Sequence, residues 1–243
     1  DQTGVSATAS TNMKIQAKLK TKCNHNLREV ISFSKKPPGE IPFELGCTKY
    51  HRKYLECQNC GHWFSSHNLN LDNLYEEEYV NSTYGGFEGM KNKFEKIISL
   101  PVGKSDNLDR VARINNFFYA KKNKRFKGKV LDIGCGLGVF PYEMQNLGWD
   151  VIGTEKDDRT IEHLNKVVGL KKIYKNFHEI KQFNFNNYDL ITLNKVLEHV
   201  VDPINLLNEI PSLLKANGYV YLEVPDIENA STLEDPQLRE EFF

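Results

Sequence analysis

Residues Lys129 to Phe140 read KVLDIGCGLGVF, a short apolar run that breaks into three closely spaced glycines. Val130, Leu131 and Ile133 are too few for a helix and rich enough in branched side chains for a buried strand, with Asp132 near its end. Gly134, Gly136 and Gly138 follow as G-C-G-L-G, so the backbone can turn tightly and approach a ligand without a Cβ in the way. From Val139 to Leu147 the spacing becomes helical. Strand, glycine turn and helix N-terminus together form the nucleotide cradle of doubly wound α/β folds. A dinucleotide fingerprint, G-x-G-x-x-G, wants its third glycine at position 139, where this chain has Val139. The spacing therefore disfavours a nicotinamide dinucleotide.

Downstream, the alternation of elements sets the fold class. Asp150 to Thr154 (DVIGT) predicts a second strand, and Glu155 closes it, 21 positions after Gly134. An acid there can accept hydrogen bonds from both hydroxyls of a ribose; its plainer reading is an acid favoured by a helix N-terminus. A helix over Arg159 to Val168, a strand at Lys172 to Lys175 and a fourth strand at Tyr188 to Leu193 (YDLITL) come next. Asn194 to His199 (NKVLEH) begins the next crossover, and a helix from Pro203 to Leu214 is ended by Asn217-Gly218 before a fifth strand, Tyr219 to Val224. Strands joined in this way by helices predict an α/β, doubly wound parallel sheet with helices on both faces. Its ligand belongs at the carboxyl ends of the first strands.

Four of the five cysteines, Cys23, Cys47, Cys57 and Cys60, lie ahead of this region. Cys57-Gln-Asn-Cys60-Gly61 has the C-x-x-C-G form of a zinc knuckle, in which the turn lets two thiolates reach one metal. Cys23 offers a third ligand, and His25, Cys47 or His62 a fourth. The alternative is a set of reduced, partly buried thiols. A thioredoxin-like redox pair is disfavoured because no strand and helix frame the motif as that chemistry requires. A closed, structural site is expected to staple a region too poor in regular structure to fold alone.

Between the two regions, LNLDNLYEEEYVNSTYGGF (69 to 87) mixes acids with Tyr75, Tyr79 and Tyr84, rings that either pack on the main domain or line a pocket. Residues 88 to 100 read as a helix stopped at Pro101. Ser105-Asp106-Asn107 caps another, with an apolar stripe of Leu108, Val111, Ile114, Phe117 and Phe118. The basic run Lys121 to Lys129 is read as a solvated helix end. The organisation expected is a tag or disordered tail over 1–12, a cysteine-rich zinc module over 13–68, a helical connection over 69–126 and the cofactor-binding domain over 127–243.

Hydrophobic residues make up 40% of the 243, adequate for a real core, and the 32 basic residues balance the 32 acidic ones. That balance removes a global electrostatic case for nucleic acid or an anionic membrane as the principal partner. No apolar run approaches the ~20 residues that span a bilayer, and the start lacks a signal-peptide layout, so a cytoplasmic protein with a small-molecule substrate is expected.

The ordered set VLDIGCGLGVF, VIGTEKD, YDLITLNKVLEHVVDP and NGYVYLEVPD resembles the successive motifs of class I S-adenosylmethionine-dependent methyltransferases, in the branch with a vLEHv.dP signature. The likeness covers residues 105 to 226, about half of the chain. The cysteine region is similar to the zinc-binding N-terminal segment of sugar C-methyltransferases of deoxysugar pathways. By position, the resemblance implies that Gly134, Cys135, Gly136 and Gly138 wrap the methionine part of S-adenosyl-L-methionine and that Glu155 holds its ribose. Asn194 and Lys195 would sit beside the sulfonium. Where the family has an adenine-contacting acid, this chain has Asn176 and Phe177. His199 is the candidate general base, with a structural Glu198-His199 pair as the plainer reading. A structural Zn2+ on Cys23, His25, Cys57 and Cys60, with Cys47 as the alternative fourth ligand, is also implied. The family's sheet has two further strands, so a methyltransferase domain incomplete at its C-terminus is expected. The expected function is methyl transfer to a nucleotide-linked sugar or glycan precursor; the alternatives are a non-catalytic cofactor-binding or zinc-stapled interaction module and a nicotinamide-dependent enzyme.

Overall fold

The computed structural model describes residues 14–15, 23–36, 49–68, 84–122, 125–181, 186–200 and 202–224. The expected tail at 1–12, Cys47, Tyr75, Tyr79 and the stretch after Val224 lie outside the described residues. The chain divides into two compact units, one comprising Asp1–Leu74, Lys195–Glu209 and Val224–Phe243, the other Tyr75–Asn194 and Ile210–Glu223.

In the first unit, strands β1 (Lys14–Ile15), β2 (Leu27–Phe33), β3 (Arg52–Cys57) and β4 (Trp63–His67) form an antiparallel sheet in the order β1-β4-β3-β2. The expectation of a region poor in regular structure is therefore corrected: strands lie on both sides of the C-x-x-C turn. Along Arg-Lys-Tyr-Leu-Glu-Cys, Tyr54 and Cys57 are buried on opposite faces of the strand, and the residues around them are half-buried. Ion pairs Arg28–Glu56 and Lys53–Glu29 tie β2 to β3 on the exposed side.

In the second unit, five parallel strands take the order β7-β6-β5-β8-β9, with β5 at Lys129–Ile133, β6 at Asp150–Thr154, β7 at Ile173–Tyr174, β8 at Tyr188–Asn194 and β9 at Leu214–Glu223. This is the doubly wound order, and the direction of winding reverses between β5 and β8, which opens a crevice there. Val130 and Leu131 are both fully buried, as a central parallel strand requires. Helices α1 (Gly86–Ile98) and α2 (Asp106–Lys122) precede the sheet, and α3 (Val139–Asn146) follows the glycine loop. Val111, Ile114 and Phe118 of α2 bury their stripe, and Phe118 stacks on Phe126 at 5.1 Å with Trp149 edge-on to both. Among the described residues no helix is long and apolar enough to cross a membrane.

Two elements differ from expectation. The helix begun at Pro203 ends at Glu209 and gives way to a 3-10 turn at Ile210–Ser212, because Pro211 has no N–H to continue it. Strand β9 then starts at Leu214, and its pairing with β8 slips between Tyr188 and Leu190, so Asn217-Gly218 lies within an irregular strand rather than at a helix end. A Cβ on Gly218 would stand 2.9 Å from the Tyr188 carbonyl oxygen, so glycine suits the close strand approach there.

Gly153 in β6 is the tightest contact between sheet and glycine loop: a Cβ there would meet Cys135 Sγ at 2.3 Å. Gly153→Ala should cost about 1–3 kcal/mol by overpacking. Adding Cys135→Ala should recover most of that loss in a double-mutant cycle of unfolding midpoints, whereas strictly additive effects would contradict this packing.

Candidate cofactor site and metal-donor cluster

The loop after β5 is tied to the end of β6. Gly134 N–H donates to both the carbonyl and Oγ1 of Thr154 at 3.1 Å, and Cys135 N–H donates to the same carbonyl at 3.0 Å. Gly136 N–H donates to Glu155 Oε2 at 2.9 Å, and Gly138 N–H to the Cys135 carbonyl at 2.9 Å. Positive φ angles at Gly134, Gly136 and Gly138 (74°, 51° and 75°) make this path available to glycine and strained for other residues. The N–H groups of Gly134, Cys135, Gly136 and Gly138 are thus engaged within the protein. Cys135 is buried, and burial pushes its thiol well above the ordinary range, which makes it a packing group here.

Glu155 is held by the loop and by its own neighbour, accepting from Gly136 N–H and, through Oε1, from Lys156 N–H at 2.8 Å. Asp157 N–H also faces the carboxylate, which has about four acceptor sites in all. Burial raises its pKa, so a ligand hydroxyl that stabilises the anion would be welcome there.

Between the paired strands β5 and β8, Asp132 Oδ1 accepts from Thr192 Oγ1 at 2.7 Å and from Asn194 Nδ2 at 2.9 Å. Asp132 is 2% exposed, and burial pushes its pKa up to about 6 in spite of these bonds. The other amide atom of Asn194, Oδ1, is buried and has no hydrogen-bond partner among the described residues. Lys195, next in the chain, has φ 54°, a left-handed conformation that costs a side-chain-bearing residue about 1 kcal/mol or more.

A second charged group closes the end of β9. Arg110, 5% exposed on α2, donates from Nε to Glu223 Oε2 at 2.8 Å, from a terminal nitrogen to Oε1, and from the other to Asn107 Oδ1 at 2.7 Å. Tyr221 O–H donates to Glu223 Oε2 at 2.8 Å, and Arg113 donates to the tyrosine oxygen at 3.2 Å. The Arg110 guanidinium holds the Glu223 carboxyl down at about 2. Sequence reading placed no role on Arg110, Thr192 or Glu223. Their signal was a charged or hydroxyl side chain at a position whose neighbours in the same helix or strand are apolar.

Asn176 sits at the N-terminus of a short helix, Phe177–Lys181, where its Oδ1 accepts from Glu179 N–H at 3.0 Å and its Nδ2 donates to Glu179 Oε1 at 2.9 Å. Both ends of that amide are engaged in a reciprocal cap. His199 ends a 3-10 turn, Leu197–His199, with its side chain 57% exposed and Nε2 4.0 Å from Glu198 Oε1.

In the first unit, Cys23, His25, Cys57 and Cys60 converge, with all four donor atoms within 4.8 Å of one another. Cys23 Sγ lies 3.7 Å from Cys57 Sγ, and Cys60 Sγ 3.6 Å from His25 Nδ1. A zinc tetrahedron has edges of ~3.8 Å between sulfurs and ~3.6 Å from sulfur to nitrogen, so both distances suit such an ion. The two halves are locked by Gln58 N–H donating to the Asn26 carbonyl at 2.8 Å and Asn59 Nδ2 donating to the Asn24 carbonyl at 2.6 Å. Gly61 N–H donates to the Cys57 carbonyl at 2.8 Å and, at φ 71°, closes the knuckle. Burial alone would raise the Cys57 thiol, but His25 and the N–H groups of Asn59 and Cys60 bring it down to about 6, while burial and the other two cysteines push Cys23 up to about 11. His62 stands outside the set, its ring edge-on to Phe64 at 4.7 Å.

Residues 104–241 match the family described as "Methyltransferase domain". Among curated relatives, the ubiquinone biosynthesis O-methyltransferase of Aliivibrio fischeri (strain ATCC 700601 / ES114) is 31% identical over 111 residues, 44% of this chain and 47% of that protein. That of Yersinia pestis (strain Pestoides F) is 28% identical over 138 residues, 53% and 57% of the two chains. This chain spans about half the length of these relatives. Among solved structures, the plantazolicin methyltransferase BpumL in complex with triazolic desmethylPZN analog and SAH aligns with TM-score 0.48 and 16% identity over 68% of this chain and 65% of that one. A SAM-dependent methyltransferase from Archaeoglobus fulgidus aligns with TM-score 0.40 and 24% identity over 51% and 55%.

The elevated pKa of Asp132 makes a signed prediction. Between its ordinary value of 3.8 and about 6, the folded state keeps a proton that the unfolded state has lost, so its contribution to stability falls as pH rises through that window. Asp132→Asn mimics the protonated form. Its stability relative to wild type should improve between pH 5 and pH 8, by about 1.4 kcal/mol. Thermal midpoints at the two pH values measure this; a difference independent of pH would contradict the assignment.

Proposed function

Because this chain belongs to the methyltransferase-domain family, we propose that it binds S-adenosylmethionine and methylates a small-molecule acceptor. The observation that carries the cofactor choice is an orphaned acceptor, Asn194 Oδ1, beside the Asp132 carboxylate. A phosphate-free nucleoside bearing cationic groups needs acceptors and acids, and these are what the crevice offers.

S-adenosylmethionine supplies a methyl group already activated on a sulfonium sulfur. The chain's own residues supply binding and orientation. Gly134, Cys135, Gly136 and Gly138 form the wall against the methionine part, Glu155 accepts from the ribose hydroxyls, and Asn194 with Lys195 flanks the sulfonium end. Asn176 and Phe177 are assigned to the adenine side. His199 is assigned as the base that takes the acceptor's proton. The proposed acceptor is a nucleotide-linked sugar or other glycan precursor, supported by the likeness of the four-donor region to that of sugar C-methyltransferases. The proposed setting is the reducing cytoplasm.

We propose that Cys23, His25, Cys57 and Cys60 hold a structural Zn2+. Four protein donors fill a tetrahedron and leave no open position for chemistry.

Calorimetric titration should show S-adenosylhomocysteine binding to the wild type and no binding of NAD. Glu155→Ala should weaken that binding at least about tenfold, the value of one charge-assisted hydrogen bond. Unchanged affinity would reject the ribose assignment. Methyl transfer by the full-length protein on a panel of nucleotide sugars and ubiquinone precursors decides the acceptor class.

Elemental analysis should find about one zinc per chain, as one tetrahedral donor set requires, and Cys57→Ser should lose it. Metal-free wild type, or a Cys57→Ser protein with full zinc content, would overturn the metal reading.

A further inference from the structure

We infer that His163 is a positioning residue for the glycine loop, holding the Leu137 carbonyl so that the loop keeps the shape a nucleoside cofactor meets. This rests on the cofactor reading above. The helix after β6 runs over Asp158–His163 and continues as a π-helical turn, Leu164–Val168. His163 closes its first part, fully buried, with Nε2 3.1 Å from the Leu137 carbonyl oxygen. A carbonyl only accepts, so Nε2 carries the proton and the ring is the neutral tautomer. The other nitrogen, Nδ1, is buried without a hydrogen-bond partner among the described residues, and the rings of Phe87 and Phe94 stand edge-on at 6.1 and 5.5 Å. An apolar side chain would fill that space without an orphaned nitrogen. What imidazole adds is the donor to Leu137.

Leu137 lies one residue before Gly138, the N-cap of α3, so its carbonyl stands outside the helical ladder and has no intrahelical donor. The first ladder bond goes to Gly138, from Tyr142 N–H at 2.9 Å. Leu137 is also flanked by two glycines at positive φ, so its peptide has little intrinsic restraint. The same helical segment seats Gly138, where a Cβ would meet Leu164 Cδ2 at 2.5 Å and Val168 Cγ2 at 2.8 Å. Residues 155 to 168 therefore clamp the loop twice: Glu155 accepts from Gly136 N–H, and His163 donates to the next carbonyl.

The test compares His163→Leu, which keeps the bulk and removes the donor, with His163→Gln, whose amide nitrogen reaches the same point. Hydrogen exchange of the peptide covering residues 134–138, measured without ligand, should be roughly tenfold faster in His163→Leu and within about threefold of wild type in His163→Gln. Affinity for S-adenosylhomocysteine should follow the same order. Equal exchange in His163→Leu and wild type, or equal defects in the leucine and glutamine variants, would overturn the inference. If His163→Leu does not fold, a folded His163→Gln with wild-type exchange supports it, and a glutamine variant with a loosened loop overturns it. Wild type that fails to bind S-adenosylhomocysteine would reject the cofactor reading, while the ligand-free exchange still decides the role of His163.

Discussion

The hydrogen bond from Gly136 N–H to Glu155 is the constraint on which the site depends. It joins the turn after the first strand of the sheet to the acid that ends the second, at 2.9 Å. Once it forms, Gly134 and Cys135 fall against Thr154, and the Cys135 side chain packs where Gly153 leaves space for it. The first half of the loop is thereby closed by the acid and hydroxyl of its own fold, Glu155 and Thr154.

The electrostatics of the crevice follow from that closure. Asp132 is buried at the point where the winding reverses, and Thr192 and Asn194 of β8 both donate to it, which fixes the two central strand ends against each other. Arg110 is neutralised by Glu223, so its charge stays local to the end of β9. A cationic, phosphate-free ligand suits this balance.

Much of this arrangement was legible in the sequence because it rests on short-range chemistry. The three glycines, the acid 21 residues after Gly134 and the branched runs of β5, β6 and β8 announce themselves by type and spacing. The C-x-x-C-G turn announced two metal donors, and Cys23 and His25 join them because β2 and β3 pair with Leu27 opposite Cys57. What sequence could not supply was pairing at a distance. The antiparallel sheet of the first unit was missed because its strands are short and half polar, so no long apolar run marks them. The slip in β9 was missed because Asn-Gly is as good a helix stop as a strand irregularity. That His163 serves the Leu137 carbonyl appears only when the helix after β6 is folded back on the loop.

The central claim is that the loop meets a nucleoside without phosphate. The most direct measurement is a nuclear magnetic resonance titration that follows the amide signals of Gly134, Gly136 and Gly138 in isotopically labelled protein. They should shift on addition of S-adenosylhomocysteine and stay in place with ADP at the same concentration. Signals that move with ADP and ignore S-adenosylhomocysteine would contradict the account.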